Sequence, residues 1–76
     1  MKEQHKIASE WMHFAGEDLH AAELLFKEGM YGLACFHAEQ CAEKSLKACI
    51  LYHGSFFRKI HDLNELVETC VECGEE

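Results

Sequence analysis

A stripe of polar side chains able to bind a ligand runs along the middle of the sequence. Its members are His37, Gln40, Lys44 and Lys47. Intervals of three and four residues put them on one face of a helix. Ammonium, imidazole and amide groups can donate hydrogen bonds to phosphate oxygens or base edges. The stripe is therefore a candidate ligand or partner interface. The alternative is a solvated face, on which the lysines pair with Glu43 and other carboxylates.

Asp18 is the only charged residue inside the apolar arc of the first predicted helix. A carboxylate buried without a partner has a raised pKa and loses its charge. We therefore expect Asp18 to be a buried structural residue, bonded to a group on the second helix. A role as a site residue is the alternative.

The adjacent residues His61 and Asp62 stand where a third helix is predicted to begin. We expect Asp62 to cap this helix, with Glu65 three residues later completing a capping box. We expect His61 to pack or form a hydrogen bond within the loop. Ligand or partner binding is the alternative for both residues.

Two Glu-x-x-His pairs in the first helix have the spacing found in di-metal helical bundles. They are Glu10 with His13 and Glu17 with His20. Such pairs bind metal only when they point into a core, and these lie opposite the predicted apolar arc. The sequence predicts no metal site, no cofactor and no catalytic residue in this chain.

The cysteines predict reduced thiols. There are five, an odd number, and most fall in segments with a helical pattern. Cys70 and Cys73 form a single C-x-x-C pair without the further ligands that zinc requires. We expect these two thiols to pack in the core. Free thiols and the absence of an apolar N-terminal run predict a cytosolic protein with no membrane segment.

Hydrophobic periodicity predicts three helices, at about residues 7–28, 30–53 and 62–73. Gly29 and Gly54 stand at the ends of the first two. The apolar arc of the first helix has eight members: Ile7, Trp11, Phe14, Ala15, Leu19, Ala22, Leu25 and Phe26. The apolar face of the third comprises Leu63, Leu66, Val67, Cys70 and Cys73. The predicted fold is all-α, an antiparallel up-down bundle of three helices.

The second helix needs more neighbours than two other helices can supply. One face carries mostly small side chains: Tyr31, Cys35, Ala38, Ala42, Ser45 and Cys49. Small side chains permit the close approach of another helix. Because the polar stripe is flanked by further apolar residues, this helix is semi-apolar on two sides. We therefore expect dimerisation to complete the bundle.

The charge balance disfavours nonspecific nucleic-acid binding. The chain has a formal net charge of −7 and only seven Lys and Arg residues. Binding to phosphate backbones depends on clustered positive charge. No DNA specificity is therefore evident, although a local basic stripe is compatible with an acidic fold.

Three segments, in order, carry a family resemblance. They are Trp11, Ala15, Asp18-Leu19, Ala22 and Leu25; the run from Gly29 to Gln40 with Ala42-Glu43-Lys44 and Leu46-Lys47-Ala48; and Gly54 followed by His61-Asp62-Leu63 and Leu66. In this order and spacing, residues 1–76 resemble the N-terminal part of HEPN domains, helical domains of higher eukaryotes and prokaryotes.

The resemblance implies a nucleotide- or RNA-related accessory module that partners a minimal nucleotidyltransferase, in a toxin–antitoxin pair or as a substrate-binding subunit. Many HEPN proteins are ribonucleases that use an Arg followed four to six residues later by a His. Here Arg58 is the only arginine, and His61 follows after two intervening residues. The resemblance therefore implies a shortened or non-catalytic member. The alternatives are a ribonuclease whose catalytic residues lie outside this chain and a dimerisation scaffold without a ligand.

Overall fold

The computed structural model describes residues 2–53 and 63–75, which contain three α-helices. They are α1 (Lys2–Lys27), α2 (Tyr31–Tyr52) and α3 (Leu63–Glu75). The prediction of an all-α, three-helix bundle is confirmed. α1 begins at Lys2 rather than near Ile7. His61 and Asp62, together with the predicted cap, lie outside the described residues.

A tight turn at Gly29 reverses the chain between α1 and α2. Gly29 has a φ of 78°, a left-handed conformation that costs glycine little because it has no Cβ. The Gly29 N–H donates to the Phe26 carbonyl at 3.0 Å, and the Met30 N–H donates to the Leu25 carbonyl at 2.9 Å. This pair of bonds is a Schellman motif, which satisfies carbonyls left open at a helix end. The motif fixes the start of the antiparallel hairpin.

α1 and α2 pack along seams whose residues alternate at three- and four-residue intervals. The α1 seam consists of Ala8, Trp11, Ala15, Asp18, Ala22 and Leu25, and the α2 seam of Ala34, His37, Cys41, Lys44, Ala48 and Leu51; all are buried or partly buried. Ala8, Ala48 and Leu51 form a buried cluster against which Trp11 packs. The small alanines let the two helices approach closely.

The predicted apolar arc of α1 is partly wrong. Phe14, Leu19 and Phe26 are 50%, 49% and 63% exposed, whereas Ala8, Ala15 and Ala22 are buried. The seven-residue repeat of alanines defines the contact face, and the large side chains lie beside it. Hydrophobic periodicity alone assigns the bulkiest apolar residues to the contact face. Two closely packed helices place their smallest residues there instead.

α3 packs on α2 and, within the described residues, makes no contact with α1. Leu66 of α3 and Ile50 of α2 are fully buried. Val67, predicted on the apolar face of α3, is instead 46% exposed. None of the three helices, in the part of the chain that is described, has the length and hydropathy needed to cross a membrane.

Candidate functional site

A charged cluster lies at the centre of the seam between α1 and α2. Asp18 is only 8% exposed. The Nζ of Lys44 lies 2.5 Å from Oδ2 of Asp18, and Nδ1 of His37 lies 2.9 Å from Oδ1. Both partners are on α2, two helical turns apart. The Asp18 carboxylate therefore bonds two successive turns of the neighbouring helix.

The cluster stabilises the ionised carboxylate. The hydrogen bond from Lys44 lowers the pKa of Asp18 below its ordinary value, and the hydrogen bond from His37 lowers it further. Burial acts in the opposite direction, because desolvation favours the neutral acid. The net pKa shift is downward, so Asp18 is a carboxylate at neutral pH.

The carboxylate also determines the orientation of the His37 ring. An ionised carboxylate can only accept hydrogen bonds, so the Nδ1–H of His37 must donate to Asp18. In the neutral ring, Nε2 is then the acceptor. The His37 side chain is 30% exposed. An imidazole held in one tautomer by a carboxylate is suited to accepting a proton or hydrogen bond at its other nitrogen.

Lys47 forms a second, smaller polar contact one turn from Lys44. Its side chain is nearly buried, with Nζ 3.5 Å from Oε2 of Glu43 and 5.4 Å from the centre of the Trp11 ring. Its ammonium is therefore balanced by a carboxylate and by an aromatic face. This pairing with Glu43 is the one considered for the solvated-face alternative, but it lies in the interior.

Two residues of the polar stripe join Asp18 in one cluster, although the sequence presents the stripe and Asp18 as separate features. His37 and Lys44 are the α2 groups that bond Asp18, while Lys47 lies against Trp11. Gln40 is partly buried on the same helix. The sequence could have indicated this cluster if the two helices had been aligned with Asp18 opposite Cys41. In that register His37 and Lys44, about one helical turn on either side of Cys41, come within reach of Asp18.

The remaining candidate residues do not join this cluster. His13 and Glu17 of α1 are exposed, 3.9 Å apart, and Glu10 and His20 are also exposed. Within residues 2–53 and 63–75, no three His, Cys, Asp or Glu side chains group as metal ligands. His61 and Asp62 lie outside the described residues.

Two open apolar grooves flank the hairpin on the small-residue face of α2. The first has a volume of about 550 Å³ and is lined chiefly by Ala22, Phe26, Tyr31, Ala34, Cys35 and Ala38. The second, of about 560 Å³, is lined chiefly by Ala8, Ser9, Met12, Ser45, Ala48 and Tyr52. We call them the turn groove and the terminal groove. The small residues of α2 that the sequence marks for close packing thus border open surface.

Comparison with known proteins identifies relatives for most of the chain. The family model described as the HEPN domain matches residues 8–76. A protein of Methanocaldococcus jannaschii named "Putative toxin MJ1304" is 37% identical over 54 residues. The aligned residues make up 71% of this chain and 36% of the relative, so the match spans about a third of that protein's length. No solved structure matches.

Proposed function

Because the chain belongs to the HEPN family, we propose that it is the HEPN-type accessory module of a cytosolic, toxin–antitoxin-like system. The observation that carries this proposal is the family match over residues 8–76, joined by a relative whose name contains the word toxin. In this proposal the module works by association, with a second copy and with a minimal nucleotidyltransferase. Its role is nucleotide- or RNA-related.

Exposed apolar surface supports association with a second copy. Large apolar side chains are half exposed on both helices of the hairpin, among them Phe14 and Leu19 on α1 and Tyr31 and Phe36 on α2. Phe26 and Tyr31, which line the turn groove together, are 63% and 60% exposed, and an exposed apolar patch of this kind marks an interaction site. The turn groove is bordered by Ala34 and Ala38, and small residues already permit close helix packing in the α1–α2 seam. A second copy would cover this groove.

The charged cluster supports a role at the edge of a partner interface. Lys44 already binds Asp18, and Lys47 pairs with Glu43, so neither ammonium adds an uncompensated charge to the surface. The His37 ring is partly exposed and its Nδ1 is bonded to Asp18, so Nε2 is the ring nitrogen that can bond a partner. We propose that His37 and Gln40 contact a nucleotide, an RNA or a protein partner, and that Lys44 and Lys47 hold that face in place. His61 and Asp62 remain proposed contributors.

The mass of the chain in solution, measured by light scattering across a concentration series, tests the self-association. We expect a dimer that weakens in Ala38→Glu, because a carboxylate in the turn groove loses its hydration when a second copy covers it. His20→Glu, which adds a carboxylate at an exposed position of α1, is the matched control and should stay dimeric. A wild-type monomer at all concentrations would refute the self-association.

Binding to RNA and to a candidate nucleotidyltransferase tests the accessory role separately. We expect His37→Ala to weaken binding of the partner that contacts this face, with helix content and mass in solution unchanged. His13→Ala, at an exposed histidine of α1, should bind as the wild type does. Equal binding by the two variants would show that His37 does not contact the partner.

The ribonuclease alternative is favoured by one observation, the name of a relative of which this chain matches about a third. It requires, in coding sequence beyond residue 76, an Arg followed four to six residues later by a His. RNA cleavage by that longer protein, abolished by replacing the His, would establish it. Under the accessory proposal the 76-residue chain cleaves no RNA.

A further inference from the structure

Two thiols from different helices lie almost within bonding distance. The Sγ atoms of Cys49 on α2 and Cys70 on α3 are 2.9 Å apart, and both residues are partly buried. Neither sulfur is part of a disulfide bond in the structure. A disulfide has an S–S length of about 2.05 Å, so closure requires an approach of less than ~1 Å. Side-chain rotation can supply a movement of this size.

We propose that Cys49 and Cys70 form a reversible disulfide that fastens α3 to α2 under oxidising conditions. Within the described residues, α3 contacts α2 and not α1. A bond at this position therefore acts on the interface that, among the described residues, holds α3 in the bundle. In the reduced protein, packing around Leu66 holds α3, and the helix can separate from the hairpin by local unfolding.

Hydrogen peroxide serves as the oxidant in this reaction. One thiol attacks peroxide, becomes a sulfenic acid and releases a water molecule. The second sulfur then displaces the sulfenic hydroxyl, which leaves as a second water when it takes up the remaining thiol proton. The two sulfurs together lose two electrons to the peroxide oxygens. A dithiol reductant restores both thiols by two exchange steps and is itself oxidised to a disulfide.

Geometry separates this pair from the other described cysteines. Cys41 and Cys35 precede Cys49 on α2 by eight and fourteen residues. At 1.5 Å of rise per residue, they lie about 12 and 21 Å from it along the helix axis. A disulfide requires Cα atoms within about 7 Å, so neither can replace Cys49 as the partner of Cys70 without a large displacement of α3.

A pair of matched variants tests the assignment. The first carries Cys35→Ser, Cys41→Ser and Cys73→Ser and keeps Cys49 and Cys70. The second carries Cys35→Ser, Cys41→Ser and Cys70→Ser and keeps Cys49 and Cys73. Each is reduced, treated with peroxide for increasing times and alkylated. Its mass is then measured before and after trypsin, which cuts after Lys47, Arg58 and Lys59 and places the two sulfurs of each pair on separate peptides.

We expect the first variant to lose two hydrogen atoms, to resist alkylation and to yield a peptide 48–58 linked to 60–76. It should do so at least about tenfold faster than the second variant, because its sulfurs are already aligned. Equal rates in the two variants would overturn the proposal. So would a product consisting only of sulfinic or sulfonic acids, or of disulfides between molecules.

Thermal unfolding provides an independent measurement of the link. A disulfide closing a loop of this length raises the folding equilibrium constant by roughly a hundredfold. For a domain this small, that corresponds to a melting temperature about 10–20 °C higher. We expect this rise in the oxidised first variant, reversed by a dithiol. An unchanged melting temperature despite a mapped disulfide would refute the claim that the bond fastens α3.

Discussion

The two halves of the seam between α1 and α2 are held by different forces. In the half near the chain start, Ala8, Ala48 and Leu51 form an apolar cluster with Trp11 against it. In the other half, which extends from the centre of the seam towards the turn, Asp18 bonds His37 and Lys44. Apolar contact is nondirectional and tolerates small shifts along the helix. The three polar groups have defined partners, so they specify the register while the apolar half supplies burial.

Asp18→Ala should have the largest effect on this comparison. The change leaves Lys44 and His37 partly buried without their carboxylate, a situation that costs about 3 kcal/mol. We place the loss at the lower end of the usual range because both partners retain some exposure. Urea unfolding followed by circular dichroism measures it. Glu17→Ala, at an exposed neighbour, is the control and should be nearly neutral; equal losses for the two variants would contradict a special role for the cluster.

Trp11→Ala tests the apolar half. A fully buried tryptophan truncation costs about 3–5 kcal/mol, and the partial exposure of Trp11 reduces the expected loss to about 2 kcal/mol. The same urea experiment measures it. Phe14→Ala removes a half-exposed aromatic from the next turn and should cost less than about 1 kcal/mol. If Phe14→Ala proved the more damaging, the seam would not face α2 as described.

Lys47→Met tests whether the buried ammonium stabilises the apolar half. Methionine keeps the hydrocarbon stem beside Trp11 but removes the contact with Glu43. We expect a loss of about 1 kcal/mol, because the Glu43 carboxylate then lacks this partner. Adding Glu43→Gln to the same chain should restore part of it. A double variant no better than the single one would indicate that the ion pair contributes nothing.

A difference in acid sensitivity should be the smallest effect. The pKa of Asp18 is lower in the folded than in the unfolded chain, so its stabilising contribution is present above pH 4. That contribution is lost as the pH falls through the ordinary aspartate range towards the lowered value. Asp18→Asn removes this pH-dependent contribution to stability. Urea midpoints at pH 6 and pH 3.5 should therefore fall further in the wild type than in the variant; parallel decreases would place the acid sensitivity elsewhere.

The sequence predicted the helices and the need of Asp18 for a partner on α2. It did not predict which residues would meet. The periodicity of α1 fits either a face with Phe14 and Leu19 or a face of alanines, and only packing against a second helix selects between them. In the same way, the spacing of His37 and Lys44 placed them on a common face without indicating that Asp18 lies opposite.

Local chemistry explains what the sequence by itself determined. Helix-forming composition, glycine at the first turn and a three–four periodicity each act over a few residues. The all-α class and the hairpin can therefore be predicted from the sequence. The tertiary structure decided the pairing of Asp18 with Lys44, the contact between Lys47 and Trp11, and the approach of Cys49 to Cys70. These contacts join residues that are distant in sequence, and their formation depends on the rotation and register of one helix against another.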